Sequence, residues 1–122
     1  MKDIRILAKK ISKLHLKEQC ERWFGDMVKL VIDVEKEIIA IGGELHADAE
    51  ALLLEQGSNQ TDLWGANFYP WHSPNKRIHY TALINIRPHQ NNPSMEILDE
   101  AIQKKVTELI EEILLSPDEK LV

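Results

Sequence analysis

A chain of 122 residues, 43% hydrophobic and 29% charged, has the size and composition of one globular domain that buries roughly two thirds of its unfolded surface; disorder and fibrous repeats are excluded. Its net charge of -5 argues against the broad basic face that tracks nucleic-acid phosphates, so nucleic acid is not expected as a partner. No run approaches the roughly 18 apolar residues of a membrane span, no signal-peptide run opens the chain, and the lone Cys20 leaves no intrachain disulfide, so no membrane partner and a cytoplasmic location are expected.

Ile4 to Leu7 is a short apolar patch, expected as a first edge strand, and a helix follows from about Leu14 to Phe24, stopped by Gly25. Cys20 shares helical spacing with Leu16, Trp23 and Phe24 and reads as a small core residue. Met27 to Val34 alternates with the period of a half-buried strand, Glu35-Lys36 turns, and the β-branched run Ile38 to Ile41 returns as a hairpin partner. Leu45 to Gln56 is rich in Ala and Leu with Gly57 placed as a helix C′ residue, so a second helix is expected with Leu45, Ala49, Leu52 and Leu53 as its apolar stripe. Leu63 to Tyr69 reads as a strand ended by Pro70, with Trp71 to Lys76 as the loop of a second hairpin. Arg77 to Arg87 alternates best of all and is expected to be a central strand. After a loop from Pro88 to Ser94, Asp99 caps a last helix whose stripe is Ile102, Val106, Leu109, Ile110 and Ile113, ended by Ser116-Pro117 with a short tail beyond. The order β-α-β-β-α-β-β-α predicts one domain over residues 1–122. It is a two-layer α+β fold: a mostly antiparallel sheet of two hairpins and an N-terminal edge strand, one face covered by the helices.

Two polar groups carry candidate chemistry. Directly behind Gly42-Gly43 stand His46, Asp48 and Glu50, which could serve as acid/base groups or metal ligands; on a helix His46 and Glu50 lie about 40° apart around the axis while Asp48 points elsewhere. His46 and Glu50 are therefore the candidate catalytic pair. The spacing matches no strong metal signature, and no metal or cofactor is assigned. Acidic residues near a helix start are equally explained by the macrodipole. The second group gathers late: Asn67, Asn85, Arg87 and Asn92, with Arg87 able to hold an anion through its guanidinium fork or to pair with Glu96, Asp62 or Glu50. With Asp48, these are the candidate ligand-binding residues. Two functions stay open. One is a pocket for a small anionic ligand, catalytic or not, formed by the His46 to Glu50 and Asn85 to Asn92 segments. The other is a non-enzymatic interaction module or homodimer, whose polar cluster is a structural ion network.

The runs Ile41-Gly42-Gly43-Glu44-Leu45-His46-Ala47-Asp48-Ala49-Glu50, Asp62-Leu63-Trp64-Gly65-Ala66-Asn67, Tyr69-Pro70 and Ile84-Asn85-Ile86-Arg87-Pro88 resemble a family of small prokaryotic proteins classed as a domain of unknown function. The resemblance extends from about Gly25 to the last helix. It implies that His46, Asp48, Glu50, Trp64, Gly65, Asn67, Asn85, Arg87 and Asn92 occupy motif positions, and it brings no activity with it. Pro93 stands where the family often has a basic residue and His79 where it often has an acidic one, which removes a positive charge from beside Arg87.

Overall fold

The computed structural model describes residues 3–121; Met1, Lys2 and Val122, the ends of the expected 1–122 domain, lie outside the described residues. The elements are β1 (Arg5–Leu7), α1 (Lys13–Trp23), β2 (Val28–Asp33), β3 (Ile38–Ile41), α2 (His46–Glu55), β4 (Leu63–Phe68), β5 (Ile78–His79) and α3 (Glu100–Ile113). The α+β class and the predicted element order hold. All pairings in the five-stranded sheet, of order β1-β3-β2-β4-β5, are antiparallel.

Local chemistry explains the ends. The Ser12 hydroxyl accepts the His15 N–H at 3.1 Å to start α1, and Gly25, with φ +90°, returns its N–H to Cys20 O at 2.7 Å to stop it. Asp99 Oδ1 accepts from Ala101 and Ile102 at the start of α3. The β2–β3 turn is held by Asp33, whose Oδ1 accepts the N–H groups of Glu35 and Lys36 and whose Oδ2 accepts the Ser58 hydroxyl at 2.6 Å.

Helices cover both faces of the sheet, where the pattern predicted one. Alternate strand residues Val28, Leu30, Ile32, Ile39, Ile41, Trp64, Ala66 and Phe68 pack against Leu16 and Cys20 of α1 and Val106, Ile110 and Ile113 of α3. The intervening residues Val31, Ala40 and Leu63 pack against Ala49 and Leu53 of α2. Leu45, predicted for the α2 stripe, is exposed instead. Beyond Ser116 the chain folds back: Leu121 is buried, and the Arg77 guanidinium donates to Ser116 O and Glu119 O at 3.0 and 2.7 Å.

The largest departure is the predicted Arg77 to Arg87 strand. Only Ile78–His79 enters the ladder, at the edge of the sheet, and β2 takes the central place. Past His79 the chain leaves the edge and crosses over the α2 face of β4, where Leu83–Asn85 forms a single 3-10 turn. Gly65 is why it can: a Cβ there would lie 2.5 Å from Ala82 Cβ and 3.2 Å from Ile84 Cγ1, far inside contact distance. Alternation of apolar residues persists through this crossing, so period alone cannot distinguish it from a strand.

Cys20 is fully buried, and that burial, reinforced by the charges of Asp26 and Glu21, pushes its thiol up to about 12. The native protein should therefore leave Cys20 unmodified by a thiol reagent such as Ellman's reagent at pH 8 and react stoichiometrically in denaturant; fast native labelling would refute this packing.

Candidate functional site

Three of the polar residues singled out by sequence, His46, Asn85 and Arg87, bind the backbone of β4. Asn85 is fully buried: its Oδ1 accepts Gly65 N–H at 2.8 Å, and its Nδ2 donates to Gly65 O and Met95 O, each at 3.0 Å. One side-chain amide thus takes the place of a neighbouring strand's peptide beside Gly65. Arg87, 2% exposed, donates to Gln60 O and Leu63 O and stacks its guanidinium 4.0 Å from the Trp64 ring centroid. Burial lowers the Arg87 pKa, and the Glu50 carboxylate opposes that shift. Arg87 forms no ion pair with Glu50, Asp62 or Glu96 within 4 Å among the described residues. Asn92 Nδ2 donates to Asn85 O, Ser94 O and Glu96 O, while its Oδ1 accepts Leu98 N–H, which closes the loop that Arg87 N–H and Asn92 O begin.

His46 opens α2 and is 8% exposed. Its Nε2 lies 2.9 Å from Ala66 O; a carbonyl can only accept, so Nε2 carries the proton and Nδ1 of the neutral ring is left as an acceptor. Burial lowers the His46 pKa below 6.5; the hydrogen bond to Ala66 O opposes this, and the Lys29 charge adds to it. Glu50, one turn on, keeps Oε2 buried without a hydrogen-bond partner, and its charge acts on Arg87, while His46 bonds Ala66 O of β4. The carbonyls held by Arg87 and His46 are three residues apart, about 10 Å along a strand. Asp48 sits half-buried in the first turn of α2.

Asn67 differs from Asn85 in having no hydrogen bond for its buried Oδ1. With His46 it lines a cavity of about 310 Å³ whose other polar walls are Lys29 of β2 and Thr81. Lys29 pairs with Asn67 across the sheet; its Nζ donates to Glu44 O at 2.7 Å and meets no carboxylate within 4 Å among the described residues. The start of α2 also opens here: Leu45, at the N-cap, has no side-chain oxygen to receive the first N–H groups, and Leu45, His46 and Ala47 all line the cavity. Leu83, Ile84 and Met95 complete the wall. Asn85, Arg87 and Asn92 do not line this cavity; they fix the wall behind it.

Lys29, Thr81, Leu83 and Met95 were not anticipated from sequence. Lys29 carried one faint signal, a cation on a strand face shared with Val31 and Asp33. A second cavity of about 420 Å³ lies between the Pro70–Pro74 loop and the folded-back C-terminal residues, but the Arg77 guanidinium beneath it has all three nitrogens engaged by His72 O, Ser116 O and Glu119 O. Among the described residues no three His, Cys, Asp or Glu side chains gather into a metal site, and no helix is long and apolar enough to cross a membrane.

Comparison with curated proteins and with solved structures gave no match. A family model matches residues 5–113, which include β1 to α3 and every residue of the site. The chain therefore belongs to the family described as protein of unknown function, DUF5674.

Proposed function

We propose that the protein binds a small anionic ligand in the cavity at the start of α2, with Lys29, His46, Asn67 and Thr81 as its polar contacts. The observation that carries this reading is the convergence of Lys29, which no carboxylate neutralises within 4 Å among the described residues, with the uncapped first turn of α2 on one cavity. A cation and oriented N–H groups both favour negative charge. His46 and Asn67 add hydrogen-bonding groups, and Arg87, Asn85 and Asn92 act by holding the 82–98 segment against β4 rather than by touching the ligand.

The His46 pKa gives a test with a definite sign. In the free protein the imidazole is neutral near pH 7, because its pKa is held below 6.5. A bound anion favours the protonated ring, so binding takes up a proton and tightens as pH falls below neutral toward the lowered His46 pKa. Acetate, whose own charge is nearly constant over that range, should shift the His46 and Lys29 resonances saturably in an NMR titration. Lys29→Ala should weaken binding roughly tenfold, the effect of one partly desolvated charge contact of about 1.4 kcal/mol. His46→Gln keeps a donor for Ala66 O and should abolish the pH dependence. The reading fails if neither acetate nor phosphate perturbs the two residues at any pH tested.

A further inference from the structure

The walls of this cavity say more than that its ligand is anionic. Its cationic end is built by Lys29 and the start of α2, with the buried His46 beside them on the wall. Apart from Asn67 and Thr81, the remaining wall is apolar: Ala82, Leu83, Ile84 and Met95. Three residues of this wall and rim stand open to water together, Leu45 at 58%, Leu83 at 71% and Met95 at 41% exposed. A phosphate or sulfate would satisfy the first end and leave the second bare; it would also face one lysine and no arginine, since Arg87 is committed to the carbonyls of Gln60 and Leu63.

Resting on the anion-pocket reading above, we infer that the ligand is an amphiphilic monocarboxylate, its carboxylate at Lys29 and the α2 start and its hydrocarbon portion laid along Leu83, Ile84 and Met95. The carboxylate brings a single charge for the single lysine, and its two oxygens can accept from Nζ and from a first-turn N–H together. The alkyl portion removes from water the side chains that the fold itself leaves exposed.

Sodium acetate, butyrate, hexanoate and octanoate, with hexanol and inorganic phosphate as comparators, are titrated into the full chain by calorimetry and NMR. Affinity should rise about threefold to fourfold per methylene, the effect of burying one CH₂, and level off once the cavity is filled. Hexanol should bind at least tenfold more weakly than hexanoate. Leu83→Ser, at an exposed position, should flatten the chain-length series. If the series is flat, or phosphate binds more tightly than octanoate, with either response lost in Lys29→Ala, the carboxylate inference is overturned and the anion pocket stands. If hexanol matches hexanoate, or if no anion binds, both are overturned.

Discussion

Replacement of Asn85 by alanine is expected to lower the free energy of unfolding by about 3 to 5 kcal/mol. The side chain is fully buried and satisfies three backbone groups at once, Gly65 N–H, Gly65 O and Met95 O. Alanine leaves all three without partners, and each unmet buried group costs about 1 to 3 kcal/mol, reduced where water can enter the space vacated. Against a total stability of about 5 to 15 kcal/mol this puts the variant near unfolding. Asn85→Asp should be worse at neutral pH: it keeps an acceptor for Gly65 N–H but turns a carboxylate oxygen toward two carbonyls that need a donor. Urea denaturation followed by tryptophan fluorescence measures both, with Trp64 packed beside the affected strand. A loss below about 1 kcal/mol for Asn85→Ala would show that the amide does not substitute for a strand at this edge.

That substitution also marks the limit of what periodicity could show. The β2–β3 hairpin and the three helices were legible because their apolar residues repeat at 2 or 3.6, and because Gly25, Gly57 and Asp99 punctuate them as local chemistry requires. The segment after His79 carries the same period of two, yet it meets β4 through the Asn85 side chain at Gly65, and its backbone pairs with residues 92–97, as in Ala82 N–H to Met95 O and Ile97 N–H to Tyr80 O. A side chain that stands in for a strand leaves no trace in an alternation pattern. The candidate site divides in the same way. His46, Asn67, Asn85, Arg87 and Asn92 stood out by residue type, but type does not reveal whether an amide or guanidinium meets a ligand or a backbone carbonyl. Lys29, Thr81, Leu83 and Met95 meet only in space, from β2, the crossing segment and the loop before α3, so no spacing along the chain could join them.

Arg87 is the second position at which a single change should be severe, and here the partner of the charge decides the outcome. Its terminal nitrogens hold the carbonyls of Gln60 and Leu63, fixing the turn that leads into β4, and its plane covers Trp64. Charge-assisted hydrogen bonds of this kind are worth about 1.5 to 3 kcal/mol each, and a desolvated cation over an indole about 2 more. Arg87→Met retains most of the stem and should cost about 5 kcal/mol or more. Arg87→Lys should recover little of that, because a compact ammonium cannot span two carbonyls and stack on a ring together. The rest of the cost comes from Glu50, whose buried Oε2 has no hydrogen-bond partner and whose nearest compensation is the Arg87 charge. Combining Arg87→Met with Glu50→Gln removes both charges, so the double variant should be at least about 1 kcal/mol more stable than the sum of the two single losses predicts. Strict additivity in a double-mutant cycle would show that Glu50 and Arg87 do not interact.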